Sequence, residues 1–420
     1  MNYKQALTEL ELLGIMPTTM PSLAPMERAL VRSGLKQRIP AESGIIIAGT
    51  NGKGTTAATL SALLTAAGKR VGLYTSPHLV SACERMRIND HDITEDDFTA
   101  AYLAVKDIVI AEGLTHFEAL TLMAAHVFYS GGHGPPVDHA IWEVGLGGQC
   151  DATNAIPHHH CAITQLSMDH QDILGGTLED IARQKFGVIG KDAVVVHSPM
   201  DASLAPLRAE TTARTHCRWI SAEPLELGRV ALNLRGARAA ENTATALTLF
   251  KAMGFDPNSS LHALQAVRWP GRFSPLGGGL LPCPLYLSGD HNPAGIDSLI
   301  EILNTMSWKT LHLIVGIGRD KDATLMFEKL LTLPRARLYL TETPFKPFRI
   351  QEYPARIRNR AEISNHDVFH ILSCLNHRTE PDDIAVITGS LYLGGHVLAA
   401  KQPLQPGSPR IEPRSLAFGP

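Results

Sequence analysis

Short apolar runs rich in β-branched residues alternate along most of the chain with stretches of helical periodicity. "GIIIAG" (44–49), "RVGLYTS" (70–76), "HAIWEVG" (139–145), "CAITQLS" (161–167) and "DAVVVHS" (192–198) predict buried strands. Between the first two lies "GTTAATLSALLTAAG", where Ala57, Leu60, Leu64 and Ala67 recur at helical spacing. A strand, a loop, a helix and a second strand in that order mark a parallel α/β sheet. A second set of runs follows: "LYLSGD" (285–290), "LHLIVGIG" (311–318), "ARLYLTET" (336–343) and "DIAVITGS" (383–390). The two sets are separated by "WPGRFSPLGGGLLPCP" (269–284), dense in Pro and Gly, which predicts a hinge. The expected organisation is an N-terminal domain over 1–272, a linker over 273–284, a C-terminal domain over 285–408 and a loose, Pro-rich tail over 409–420.

Composition narrows the class. The 420 residues are too many for one small core, and 44% hydrophobic with 19% charged residues is the balance of a soluble globular enzyme. A net charge of -3 with scattered basic residues argues against nucleic acid or an anionic membrane surface as partner. No apolar run reaches the roughly 18 residues that span a bilayer. The N-terminal "MNYKQALTELELLGIMP" reads as a short amphipathic helix, not a secretory signal. Cys83, Cys150, Cys161, Cys217, Cys283 and Cys374 stand singly, with no CxxC pair, which predicts reduced thiols in a cytoplasmic protein.

The candidate chemistry begins at "GTNGKGTT" (49–56), directly after "IIIA". A loop leaving a strand and entering a helix presents unpaired backbone N–H groups at the positive end of the helix dipole, and glycines let phosphate oxygens approach. Lys53 would then reach the outer phosphates. The pattern is a variant of GxxxxGK[ST], which would need glycine where Ile47 stands and a hydroxyl where Gly54 stands; a plain glycine-rich turn is the competing reading. Without a hydroxyl at Gly54, a magnesium ligand must come from elsewhere. Ser76 in "YTSPHL", Glu143 in "WEVGLGG" and His170 in "SMDHQDILG" lie at or just beyond predicted strand ends, the edge where parallel sheets collect ligands. His170 reads equally well as a hydrogen-bonded structural residue. "PHHH" (157–160) has no partner cluster and reads as a solvated loop.

"AGTNGKGTT", "GLYTSPHLVSACERMRIND", "THFEALT", "EVGLGGQCDATN", "ITQLSMDHQDILGGTLEDIARQKFGVI", "WPGR", "DHNP" and "GSLYLGG" follow one another from about residue 28 to residue 395. Together they resemble the folylpolyglutamate synthase and dihydrofolate synthase family of Mur-type ATP-dependent amide ligases. The resemblance implies an α/β fold: an N-terminal P-loop-type ATPase domain with a parallel sheet, and a smaller Rossmann-like C-terminal domain. It implies that the γ-phosphate of ATP passes to a substrate carboxylate and that the amino group of L-glutamate attacks the acyl phosphate. The small-molecule partners would be dihydropteroate or a folate, with a monomeric protein.

Carried over by residue, Gly49, Thr50, Asn51, Gly52, Lys53, Gly54 and Thr55 would cradle ATP. Ser76 and Glu143 would hold one magnesium ion, and Glu143 with His170 a second. Lys185 in "ARQKFGV" falls where the family carries a carbamylated lysine; without the family it reads as a solvated helix lysine. Arg272 in "WPGR" resembles an ATP-contacting arginine, and His291 and Asn292 are expected at a helix start facing the cleft once the domains close. "LAPMERAL" (23–30), "THFEALT" and "DATN" resemble pterin-holding segments, which marks Thr115, Phe117 and Asp151. For Phe117, stacking competes with ordinary core packing.

Several positions depart from the family pattern. Gln149 and Cys150 stand where GGRLDATN is usual, Arg238 and Ala239 where HQ is usual, and Ser288 where DGAHNP has its first aspartate. Asp290 is not expected to substitute, because alternate residues of an extended segment share a face but lie ~7 Å apart. A divergent folate enzyme, a ligase for another carboxylic acid and an inactive nucleotide-binding module all fit; retention of Lys53, Glu143, His170 and Lys185 argues against the last.

Overall fold

The computed structural model describes residues 1–14, 22–225, 232–277 and 279–400. The chain divides into two compact units. One is Met1–Asn233 with Ala239–Arg268; the other is Leu234–Arg238 with the chain from Trp269 to the last described residue, Ala400. The tail read at 409–420 lies outside the described residues.

The first unit is built on eight strands: β1 (Gly44–Ala48), β2 (Val71–Tyr74), β3 (Met86–Ile88), β4 (His91–Asp92), β5 (His139–Glu143), β6 (His160–Ile163), β7 (Val194–His197) and β8 (Arg218–Ser221). They lie in the order β4-β3-β2-β5-β1-β6-β7-β8. The five apolar runs are the contiguous parallel centre, β2-β5-β1-β6-β7. Their continuous hydrophobicity follows from burial on both faces. The strands not predicted are edge strands. β3 and β4 form an antiparallel extension through the left-handed residues Asn89 and Asp90, and β8 is a half-exposed polar strand.

The helix Lys53–Ala66 follows β1 and is buried on nearly every side, its hydroxyls included. Thr59 Oγ1, for example, donates to the Thr55 carbonyl at 2.8 Å. A stripe through Ala57, Leu60 and Leu64 understates this burial, and Ala67 is the C-cap rather than a further turn.

The "PHHH" stretch is part of the sheet rather than a solvated loop. His160 opens β6, His159 N–H donates to the Gly44 carbonyl at 3.2 Å, and the two His158 ring nitrogens lie 2.7 and 2.8 Å from the carbonyls of Ile156 and Val188. Register with β1 starts the strand one residue before the apolar run, so these rings are half-buried at the sheet edge.

The second unit has six strands: β9 (Ser274–Pro275), β10 (Leu285–Leu287), β11 (Leu311–Val315), β12 (Ala336–Leu340), β13 (Ala361–Ser364) and β14 (Ile384–Thr388). Their order is β13-β12-β11-β14-β10-β9, parallel except for the β9–β10 pair. β9 lies within the stretch read as a linker, and Pro275 sits on an edge strand, where proline is tolerated.

Candidate active site

In the first unit, chemistry gathers at the C-terminal ends of the central strands. β1 runs straight into Gly49, and Ile47 is in register with Glu143 at the end of β5. Gly49 and Gly52 have positive φ values of 148° and 91°. Space also requires glycine: a Cβ at 49 would lie 1.9 Å from Thr164 Oγ1, and one at 52 would lie 2.1 Å from Asn242 Oδ1. The loop is clasped by the segment after β6. Thr50 N–H donates to the Gln165 carbonyl at 2.8 Å, Thr50 Oγ1 donates to the Ser167 carbonyl at 3.0 Å, and Ser167 N–H returns to Thr50 Oγ1 at 3.1 Å. Asn51 Nδ2 reaches Ser167 Oγ at 3.3 Å.

Gly52 is the N-cap of the helix, and no side chain caps it; Gly54 and Thr55 belong to the first turn and are buried. Those N–H groups and the dipole behind them form an anion-binding end. Lys53 Nζ folds back over the loop, donating to the carbonyls of Gly49 and Thr50, both at 3.1 Å.

Beside the loop lie the cation candidates. Glu143 is 5% exposed, and its Oε2 accepts the Ser76 N–H at 3.1 Å. Ser76 Oγ is buried without a hydrogen-bond partner. A buried carboxylate beside an orphaned hydroxyl suits a hard cation that keeps most of its waters. No group of three or more His, Cys, Asp or Glu side chains that could hold a metal is found among the described residues. His170 is a left-handed residue (φ 51°) capping the short helix Gln171–Leu174. Its neighbour Asp169, which sequence reasoning passed over, has a side chain only 9% exposed and accepts the His170 N–H at 2.9 Å.

Lys185 is not the solvated helix lysine that its local sequence suggests. It lies on the inner face of the helix Leu178–Phe186 and is 5% exposed. Burial, with the nearby Lys53 charge adding to it, pulls its pKa down to about 7, while Asp169 and Asp151 oppose the shift. Gln149 N–H donates to the Gln184 carbonyl at 2.8 Å, and a Cβ at Gly148 would lie 2.7 Å from that same oxygen. The departure at Gln149 thus sits in a backbone clasp beside Lys185, whereas Cys150 is exposed.

Of the residues marked for the acid substrate, Phe117 and Asp151 meet at Gly145, two positions beyond Glu143. Phe117 is half-buried, 5.8 Å from the Tyr74 ring, and a Cβ at Gly145 would lie 2.7 Å from its ring. Thr115 caps the helix His116–Tyr129; its Oγ1 donates to Glu118 Oε2 at 2.7 Å and accepts the Glu118 N–H at 3.4 Å. Asp151 is buried and fully engaged. Its Oδ2 accepts the N–H groups of Gly145 and Leu146, both at 3.0 Å, and its Oδ1 accepts from Thr153 N–H at 3.0 Å and Oγ1 at 2.5 Å. Burial raises its pKa against these hydrogen bonds.

In the second unit, β10 ends at Leu287, and the Ser288 N–H still donates to the Ile387 carbonyl at 2.9 Å. Ser288 Oγ donates to Asp290 Oδ2 at 2.5 Å, so the two side chains expected ~7 Å apart in an extended segment are in contact. The ~7 Å of an extended segment separates the Cα atoms, and a serine hydroxyl and an aspartate carboxylate on one face reach across it. Burial raises the Asp290 pKa, opposed by the Ser288 hydroxyl and the Arg272 charge. Arg272 Nε is buried without a hydrogen-bond partner. His291 Nδ1 lies 2.9 Å from the Gly289 carbonyl, and Asn292 caps the helix Pro293–Leu303 by accepting the Gly295 N–H at 2.8 Å.

No family model matches the chain. Among curated proteins, it is 30% identical over 390 residues to the folylpolyglutamate synthase of Lacticaseibacillus casei, covering 84% of this chain and 88% of that one. It is 29% identical over 390 residues to a probable bifunctional folylpolyglutamate synthase/dihydropteroate synthase of Haloferax volcanii, spanning 45% of that protein's length and 84% of its own. Among solved structures, a bifunctional folylpolyglutamate synthase/dihydrofolate synthase with Mn, AMPPNP and L-glutamate bound superposes with a TM-score of 0.82 at 27% identity, covering 95% of this chain and 98% of that one. The E. coli FolC complex with DHPP and ADP does so with a TM-score of 0.83 at 25% identity, covering 95% and 97%.

Proposed function

Because the chain belongs to the folylpolyglutamate synthase/dihydrofolate synthase family, ATP-dependent ligases that form C–N bonds, we propose that it joins L-glutamate to the carboxylate of dihydropteroate or a folate through an acyl phosphate. The observation that carries this is the grouping at one sheet edge. An uncapped helix N-terminus with Lys53 folded over its loop lies in strand register with Glu143, whose carboxylate contacts Ser76.

In this reading, residues 49–55 hold the ATP phosphates, and Lys53 turns from its two loop carbonyls to the transferring group. Ser76, Glu143 and His170 hold two magnesium ions, which when bound would neutralise phosphate and carboxylate so that two anions can meet. Lys185 is carbamylated. Its buried amine has a pKa near neutrality, so an uncharged, reactive fraction is always present, and an anionic carbamate would relieve its conflict with Lys53. Phe117 offers its ring to the pterin or its linked aromatic ring, while Thr115 and Asp151 fix the helix start and the loop that frame it. For Arg272, His291 and Asn292, a nucleotide-binding role rests on the family resemblance alone. The reading as a monomer rests on the family resemblance alone. All six cysteines are free thiols, which supports the cytoplasm.

The test is to incubate the pure protein with ATP, magnesium, L-glutamate and a panel of acids led by dihydropteroate and reduced folates. Dihydropteroate should give dihydrofolate, ADP and phosphate in equal amounts. Turnover of folates alone would restrict the activity to glutamate extension. ATP binding with turnover of neither acid would sink the reading.

A further inference from the structure

Three side chains of the first unit that neither hold phosphate nor join the cation set surround one buried charge. Arg85 ends the short turn Ala82–Arg85 and is 1% exposed. The turn itself is pinned. The Glu84 carboxylate accepts the N–H groups of Leu79, Val80 and Ser81 at 2.8, 2.9 and 2.8 Å, and the Arg85 carbonyl accepts Thr75 N–H at 3.0 Å. Segment 75–85 therefore has a fixed shape between Ser76 and the guanidinium. Tyr74, His78 and His116 face Arg85.

Hydrogen-bond logic sets the state of both imidazoles. Arg85 Nε donates to His78 Nδ1 at 2.8 Å. A guanidinium has only donors, so Nδ1 accepts, and a neutral imidazole accepting there carries its proton on Nε2. His78 is half-buried, and its Nε2 has no partner among the described residues. His116 is set the other way: its Nδ1 lies 3.0 Å from the Leu10 carbonyl, which can only accept, so that nitrogen holds the proton. His116 directly precedes Phe117, and Tyr74 packs on Phe117. The His78 donor is thus held within the wall that carries Phe117.

We propose that Arg85 is a positioning residue that fixes His78 as a neutral Nε2–H donor to the carboxylic-acid substrate, favouring acids with a carbonyl or ring-nitrogen acceptor. This rests on the reading above, in which the acid lies against Phe117. The role is that of a donor, not of an acid or base, because a second proton on the ring would have to displace Arg85 from Nδ1.

Imidazole 15N–1H correlation spectra of the substrate-free protein should show the His78 proton on Nε2. His78→Phe keeps a ring but removes the donor, and should raise KM for the acid ~10-fold, the scale of one neutral hydrogen bond. In that variant kcat and KM for ATP should stay within ~2-fold. His78→Gln, which keeps an N–H near the Nε2 position, should recover most of the loss. Arg85→Met removes every donor at that position and should let the His78 proton move toward Nδ1, raising the acid KM without adding to His78→Phe in the double variant. If Arg85→Met does not fold, the spectra and the Phe/Gln pair still decide the matter. A wild-type proton on Nδ1 overturns the proposal, as does an unchanged acid KM in His78→Phe or a rise confined to ATP. Should the wild type turn over neither acid, the functional reading falls and the donor role with it, while the tautomer spectra still decide whether Arg85 sets His78.

Discussion

β1 passes into the helix Lys53–Ala66 and β10 into the helix Pro293–Leu303, each from the C-terminal end of a parallel strand. At the first junction no side chain caps the helix, the loop's polar side chains are tied outward to Ser167, and a lysine lies over the turn. At the second, Asn292 closes the helix end itself, and just before it lies the half-buried Asp290 carboxylate held by Ser288. One is open to an anion. The other has filled its own anion position and offers an acceptor, suited to hydroxyl or cationic groups. The same strand-to-helix position thus takes opposite polarity according to whether the capping group belongs to the chain or to its ligand.

Removing the cation from the open junction should have the largest effect. Lys53→Ala should cut kcat by on the order of a hundredfold or more with the fold intact, measured as acid-dependent ADP release. Near-normal turnover would erase the contrast between the junctions.

Lys185 tests the field around that junction through stability. Its folded pKa, about 7, lies below the unfolded value of 10.5, so between these the unfolded chain binds more protons and stability rises with pH. Without bicarbonate, Lys185→Met should therefore melt higher than wild type near pH 6, by on the order of a few kcal/mol in stability, with the advantage shrinking toward pH 10. In 13C-bicarbonate, a carbamate signal should appear in wild type and vanish in this variant. Equal melting profiles would mean that Lys185 is not buried as a strained amine.

At the closed junction, Ser288→Ala removes the donor to the half-buried Asp290 and should cost ~1–2 kcal/mol wherever that carboxylate is charged. The sign follows from the raised folded pKa of Asp290: the native state loses relative stability as pH rises through that value, and the hydroxyl offsets the loss. The penalty should thus disappear in acid, where Asp290 is protonated in both variants. A pH-independent penalty would mean that the hydroxyl acts by packing alone.

The smallest stability effect is expected at Ser76. Its Oγ has no partner to lose, so Ser76→Ala should stay within ~0.5 kcal/mol of wild type or be slightly more stable. The magnesium concentration for half-maximal activity should nevertheless rise clearly. A stability loss without a magnesium effect would make the hydroxyl structural.

The sequence made the centre of each sheet legible because strands buried on both faces are mostly apolar, as β1, β7, β11 and β14, buried at every position, are. Edge strands escaped that logic: Arg218–Ser221 and Ala361–Ser364 are half-exposed and carry no run to find. Ser76 and Glu143 could be placed because they end recognisable strands. Asp169 offered a cue, an acidic residue next to His170, but its approach to Lys185 depends on two segments meeting in space. The Ser288–Asp290 contact was hidden for a different reason. The ~7 Å spacing of alternate Cα atoms suggested that the side chains were out of reach, and only their placement in the fold shows that they close the gap.

Asn242 stands directly behind Gly52, and its carbonyl accepts Thr56 Oγ1 at 3.4 Å from 186 positions further along the chain. Its helix, Ala237–Ala252, begins only after all eight strands of the first sheet have passed. During synthesis the sheet and the glycine loop are therefore complete in sequence well before the wall behind the loop exists. A nascent chain has every residue of the phosphate cradle yet lacks the surface that holds its tightest turn, so nucleotide-binding competence should appear late, as one of the last long-range contacts to form.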